Sequence, residues 1–155
     1  MIIYIDTCCY CRPYDNRVHT TQQRVRQEVN AIIDAIRLCG TSGIPIFGSA
    51  ALSVEIDDIG DYGKRERVKD FYYEVITEEL LLTDSIILRA QKLAAQGVEG
   101  YDSYHIAFAE AAGADYLLTT DDRFEQTAEK LELQTKVINP INFLEEYFLW
   151  RLSLT

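Results

Sequence analysis

The sequence has no apolar run approaching the roughly 20 residues that a membrane span requires, so no transmembrane helix is expected. Its start, Met1-Ile2-Ile3-Tyr4-Ile5-Asp6, lacks a basic segment, a long apolar stretch and a small-residue cleavage site, and the expectation is a soluble, cytoplasmic protein. Disulfide-forming potential is low. The four cysteines, Cys8, Cys9, Cys11 and Cys39, fall mostly in one short stretch where neighbours are poorly placed to bridge, which fits free thiols in a reducing compartment. A zinc site would have to recruit Cys39, His19 or His105 to a C-C-x-C cluster, far from the paired spacing such sites use. Basic residues are also in deficit, 15 Lys and Arg against 25 Asp and Glu, and the net charge of -10 argues against nucleic-acid binding through a broad basic face. Gathering several of the acids around divalent cations would neutralise part of that charge.

The hydrophobic share of 48% and charged share of 26% are those of a soluble globular chain, and 155 residues suit one domain spanning 1–155 with no repeat, linker or low-complexity segment. Ile2–Ile5 reads as a short buried strand ending at Asp6. A polar loop over Cys11–Arg17 leads to a Thr20/Gln23 capping box and a helix with Val25, Val29, Ile32, Ile33 and Ile36 on one stripe, ending near Gly40. Ile44–Phe47 reads as a second strand, and Ser49 as the cap of a helix with Leu52, Ile56 and Ile59 inward and Glu55 beside that face. The basic stretch Lys64–Lys69 begins another helix. Leu80–Thr83 is expected to be a strand, followed by a helix capped by Asp84 or Ser85 and closed by Gly97. Asp102 opens an alanine-rich helix that stops at Gly113, Asp115–Thr120 reads as a strand, and Asp121-Asp122 follow it directly. Val137-Ile138 is a last short strand, with Asn142 and Glu145 capping a terminal helix that bears Phe143, Leu144, Tyr147, Phe148 and Trp150.

This alternation predicts a three-layer α/β/α sandwich with a mostly parallel central sheet. Ligand sites in such sheets lie beyond the carboxyl ends of the strands, where Asp6 and Asp121 both fall. Carboxylates brought together there would repel and take up protons unless a cation sat among them. Mg²⁺ or Mn²⁺ suits oxygen ligands and leaves positions open for phosphate oxygens.

Asp6-Thr7 after an apolar strand, Glu55, Asp102-Ser103-Tyr104-His105-Ile106-Ala107 opening a helix, and Thr119-Thr120-Asp121-Asp122-Arg123-Phe124 together resemble the PIN domain over nearly the whole chain, and more narrowly the VapC-like toxins of toxin-antitoxin pairs. The resemblance implies an acidic pocket of Asp6, Glu55, Asp102 and Asp121, with Asp6, Asp102 and Asp121 as metal ligands and Thr119, Asp122 and His105 in support. Glu28 and the pair Asp57-Asp58 are rivals to Glu55, and Asp122 can replace or assist Asp121. It further implies Mg²⁺- or Mn²⁺-dependent cleavage of RNA, inhibition by a small cognate antitoxin, and a homodimer. Arg12, Arg17, Lys64, Arg65 and Arg67 are the candidate RNA contacts, against the plainer reading of a solvated, charge-paired face. Asp102 and Asp121 also have plain readings as helix caps, Asp6 as a turn residue, and His105 as a structural hydrogen-bond partner. A PIN module that binds without cutting, and a different metal-dependent phosphohydrolase, are the alternative functions.

Overall fold

The computed structural model describes residues 1–15 and 22–155. Its centre is strand β1 (Ile3–Ile5), all three residues of which are buried, as a strand covered on both faces must be. β2 (Ile46–Ser49) and then β3 (Glu78–Leu80) extend the sheet on one side of β1, and β4 (Tyr116–Leu118) and β5 (Lys136–Ile138) on the other, giving the order β3-β2-β1-β4-β5 with every pairing parallel. Eight helices connect and cover these strands among the described residues, which completes the three-layer α/β/α sandwich that the strand and helix alternation predicts.

The chain leaves β1 toward β2 on one side and returns to β4 on the other, so strand order reverses at β1. The crevice beyond the ends of β1 and β4 is therefore the topological switch point, where open parallel sheets bind ligands. Register makes this concrete: Tyr4 lies opposite Leu117 and Ile5 opposite Leu118, and the Asp6 amide donates to Leu118 O at 2.9 Å. Asp6 and the segment after Leu118 thus leave the sheet side by side.

Local chemistry sets the helix starts. Helix α1 (Thr7–Cys11), too short to leave a periodic signal, follows Asp6, whose side chain caps it. It fills the segment between Asp6 and the expected loop, meeting that loop at Cys11. A 3₁₀ turn, Arg12–Tyr14, comes next, and the Thr20 end of the expected capping box lies outside the described residues. Helix α2 (Gln23–Ser42) runs past Gly40 and ends at Gly43, which takes the left-handed conformation (φ 67°). Ser49 caps α3 (Ala50–Asp57), as its type and position suggest, by accepting from Leu52 N at 3.1 Å. Asp61 caps α4 (Tyr62–Val75), and Thr83, not Asp84 or Ser85, caps α5 (Asp84–Ala95).

Further boundaries differ from expectation: β2 is Ile46–Ser49 rather than Ile44–Phe47, and β4 is Tyr116–Leu118 rather than Asp115–Thr120. β3 is Glu78–Leu80 rather than Leu80–Thr83, because register on β2 pairs Phe47 with Glu78 and Ser49 with Leu80. As an edge strand it has no need of apolar residues throughout. The terminal helix, α8 (Pro140–Ser153), starts at an Asn139 cap with Pro140 in its first turn, three residues before the Asn142 expected from the capping pattern. Its Phe143 and Tyr147 are buried, whereas Phe148 and Trp150 are exposed.

Glycine is required at one place near the functional edge. A Cβ on Gly48 would stand 2.2 Å from the Tyr72 hydroxyl. Without one, that hydroxyl reaches under β2, accepts from Ser49 N at 3.0 Å and donates to Glu79 Oε2 at 3.0 Å, which holds Ser49 at the head of α3.

Candidate active site

Asp6 is buried at the carboxyl end of the central strand, and each of its oxygens is engaged. Oδ1 accepts from Thr7 N at 2.7 Å; Oδ2 accepts from Thr119 Oγ1 at 2.8 Å and from the Cys8 thiol at 3.2 Å. Thr119, fully buried beyond β4, also accepts from Asp121 N at 3.1 Å, so one hydroxyl joins the ends of β1 and β4. Asp6 caps α1 through Oδ1, a role that its plain reading as a turn residue did not include, while Oδ2 faces Thr119 just past the end of β4.

Glu55 comes from α3. Its Oε1 accepts from Thr7 Oγ1 at 3.1 Å and from His105 Nε2, and Nε2 also lies 3.5 Å from Asp6 Oδ1. Asp6, Glu55 and His105 can each offer one ligand atom within 4.8 Å of the others, a grouping compact enough to hold a metal ion. Of the rivals to Glu55, Glu28 lies elsewhere, paired with Arg12 and Arg24, while Asp57 pairs with Lys69 and Asp58 accepts from the Tyr101 hydroxyl at 3.5 Å.

Asp102 sits in the first turn of α6 (Tyr101–Ala111), whose N-cap is Gly100 (φ 55°), so Asp102 does not cap that helix. Its carboxyl is pushed up to about 7, first by burial and then by the negative charge of Asp6, Asp121 and Glu55, with His105 opposing. His105 is raised as well: complete burial works against its protonation, but the hydrogen bond to Glu55 and the charges of Asp6, Glu55 and Asp102 outweigh it. Asp102 thus responds to the charge of the other three acids, although neither it nor Asp121 belongs to the compact grouping of Asp6, Glu55 and His105. Asp102 and Asp121 further share a cleft of about 210 Å³ with Glu99, Arg123, Phe124 and Thr127.

Asp121 caps α7 (Asp122–Glu129), its Oδ1 accepting from Arg123 N at 3.0 Å and Phe124 N at 3.2 Å. Asp122 turns to Arg24, whose hydrogen bond holds it below the usual carboxylate range. Of the two aspartates, Asp121 is the one that lines the cleft and acts on Asp102.

Among the described residues, the basic candidates sit on α4 and on the turn that packs against it, in different surroundings. Arg12 is half-buried against Asp15 and Glu28, Arg65 lies 5.2 Å over the Tyr62 ring and donates to Ile59 O, Lys64 is half-buried, and Arg67 is exposed. Arg17 lies outside the described residues. Arg123, in the quoted motif but not singled out there, lines the cleft with an exposed side chain and a 4.0 Å contact to Glu99. Cys8 is likewise unforeseen; its only signal was adjacency to Asp6. The four cysteines are free, and burial pushes the Cys11 and Cys39 thiols up to about 11. His19 lies outside the described residues.

The electrostatics carry a sign that can be checked. Asp102 binds its proton more tightly folded than unfolded, so its stabilising contribution is complete below the unfolded value and is lost as pH rises through about 7; raised His105 acts in the same direction. Metal-free protein should therefore melt lower at about pH 8.5 than at about pH 5.5. Asp102→Asn should recover on the order of 1–2 kcal/mol at the alkaline end after allowance for solvent screening, about 4 °C in a thermal melt. An unchanged alkaline melting temperature in Asp102→Asn would show that the acids do not repel.

A family model described as the PIN domain matches residues 3–130. Among solved structures, VapBC2 from Rickettsia felis bound to a DNA fragment from their promoter contains a chain 13% identical to this one, with a TM-score of 0.60, the match covering 90% of this chain and 98% of that one. A chain of VapBC-1 from nontypeable Haemophilus influenzae is 19% identical with a TM-score of 0.53, covering 87% of this chain and 98% of that one. No curated protein matches in sequence. Among the described residues, no helix is long and apolar enough to cross a membrane.

Proposed function

The chain belongs to the PIN domain family, and from that premise we propose that it is a Mg²⁺- or Mn²⁺-dependent endoribonuclease, the toxin of a toxin-antitoxin pair. The observation that carries the reading is the compact grouping of Asp6, Glu55 and His105 at the switch point, with Asp102 and Asp121 lining an adjoining cleft. The donor set fits a hard divalent cation: four carboxylates supply oxygens, and their mutual repulsion is what a cation relieves. Asp6, Asp102 and Asp121 would hold it, with Glu55 beside them. Once bound, such an ion activates water and stabilises charge on the leaving oxygen in phosphodiester hydrolysis.

The chain's own residues supply the frame. Thr119 and Thr7 hold Asp6 in one orientation through separate oxygens, whereas Thr7 and His105 hold Glu55 through the same oxygen, Oε1. Arg123 at the rim offers a guanidinium to a phosphate that spans the cleft, a local contact compatible with the overall negative charge. Support for an antitoxin partner comes from the VapBC assemblies that share the fold, and from an apolar cleft of about 170 Å³ lined by Val54, Leu82, Tyr101, Tyr104 and Phe108, beside Glu55 and Asp102 in sequence. A homodimer belongs to the same reading, with the exposed apolar end of α8 as one surface for it.

The test is a substrate panel of structured RNA, single-stranded DNA and nucleotides, with Mn²⁺ and with EDTA. The expected result is RNA cut only with metal, at discrete positions and with 5′-phosphate ends. Turnover of nucleotides alone would favour the phosphohydrolase alternative; metal binding without any cleavage would favour a PIN module that only binds.

A further inference from the structure

A buried hydrogen-bond chain runs from the acidic site into the sheet. His105 is completely buried, and its Nε2 meets a carboxylate, Glu55, that can only accept, so Nε2 carries the hydrogen. On the other side of the ring, Nδ1 lies 2.7 Å from the Tyr4 hydroxyl, which lies 2.6 Å from Ser49 Oγ. Ser49 is the cap of α3, the helix that carries Glu55, while Tyr4 stands on β1 two residues before Asp6. The chain therefore grips α3 at its cap and at its functional side chain, and ties both grips to the strand that presents Asp6.

Its effect falls on individual oxygens. Glu55 Oε1 receives both donors, Thr7 Oγ1 and His105 Nε2, and among the described residues no hydrogen bond is recorded to Oε2. The buried Nε2 hydrogen needs an acceptor whatever the role of the ring; here that acceptor is Glu55 of α3, which ties the ring to the acidic site. From these contacts, and resting on the metal-nuclease reading above, we propose that His105, held by Tyr4, is a positioning residue that fixes Glu55 against Asp6 and leaves one Glu55 oxygen free for a divalent cation. His105 itself stays outside the ligand set. Groups that orient metal ligands in this way commonly change affinity or activity by about 10–100-fold when removed.

The test uses the full chain. Mn²⁺ affinity is measured by isothermal titration for wild type, His105→Ala, His105→Gln and Tyr4→Phe, with a metal-free thermal melt of each. We expect His105→Ala to bind Mn²⁺ about 10–100-fold more weakly. His105→Gln, whose amide can donate to Glu55, should recover most of that loss. Tyr4→Phe should weaken binding several-fold, and in the RNA assay these losses should appear in the Mn²⁺ concentration for half-maximal rate more than in the rate at saturation. Wild-type binding with folded Tyr4→Phe and His105→Gln both unchanged, and His105→Ala unchanged or too unstable to measure, overturns the proposal while leaving the nuclease reading intact. A nitrogen coupling in the Mn²⁺ electron-spin-echo spectrum that disappears in His105→Gln also overturns it, by making His105 a ligand. Absence of Mn²⁺ binding in wild type defeats the nuclease reading itself, and the proposal with it.

Discussion

Replacing Asp6 by Asn is expected to lower RNA cleavage on the order of 10³-fold or more while leaving the fold in place. The backbone frame around the residue does not depend on its charge: Asp6 N donates to Leu118 O, and Asn can still accept from Thr7 N to cap α1. What changes is the second oxygen. Oδ2 now accepts from Thr119 Oγ1 and the Cys8 thiol, and an Asn amide in its place would present hydrogens to groups already aimed at an acceptor. Thr119 can rotate and accept from the new amide as well as from Asp121 N, its hydroxyl oxygen having two lone pairs, so the contact between the β1 and β4 ends survives while the charge is lost. The same substitution removes one of the charges that raise Asp102, so metal-free Asp6→Asn should not melt below wild type at alkaline pH. Activity at saturating Mn²⁺, measured beside a thermal melt, separates loss of chemistry from loss of fold. Full activity in Asp6→Asn would remove Asp6 from the site.

The second large effect is on stability and involves an acid outside the pocket. Glu28 on α2 is almost wholly buried, its side chain 3% exposed, and pairs with Arg12 at 3.5 Å and Arg24 at 3.7 Å while accepting from Asn139 Nδ2 at 2.8 Å. It thereby joins α2 to the turn after α1 and to the cap of α8. Arg12 is itself half-buried, and its Nε has no partner among the described residues. Glu28→Ala would leave that guanidinium with Asp15 as its one carboxylate partner among the described residues and strip Asn139 of an acceptor. Removing one member of a buried pair typically costs about 3–5 kcal/mol, which corresponds to a melting temperature lower by about 10 °C in a domain of this size. Glu28→Gln, which retains an acceptor for Asn139, should lose less. Arg24→Ala should cost about 1 kcal/mol or less, because Arg24 is 59% exposed. Equal, small losses in all three variants by urea denaturation would contradict the buried-network account.

Much of this architecture was legible in the chain. The all-parallel sheet follows from short apolar runs alternating with amphipathic helices, and Asp6 and Asp121 were placed by one topological argument: each stands directly after a strand. Asp102 was harder, because an aspartate near a helix start reads equally as a cap; Gly100, able to take positive φ, holds that position instead. Glu28 competed with Glu55 on composition alone. Only the fold separates them, turning Glu28 toward Arg12 and Glu55 toward Thr7 and His105. The part of the site least visible in sequence is Tyr4-His105-Ser49, whose members come from three elements and whose contacts span 45 and 101 residues. Periodicity places Tyr4 in a buried strand and says nothing of its hydroxyl. Helix α1 and the exact span of β3 escaped for a related reason, five and three residues being too few to express a period.

The central claim is that the acids at the β1–β4 switch point form a divalent-cation site. Isothermal titration of Mn²⁺ into metal-free wild type, with Asp6→Asn in parallel, tests it most directly. The account predicts saturable binding in wild type that is lost or severely weakened in Asp6→Asn, together with a rise in wild-type melting temperature as Mn²⁺ is added. No binding at millimolar Mn²⁺, or binding that Asp6→Asn leaves unchanged, would contradict it.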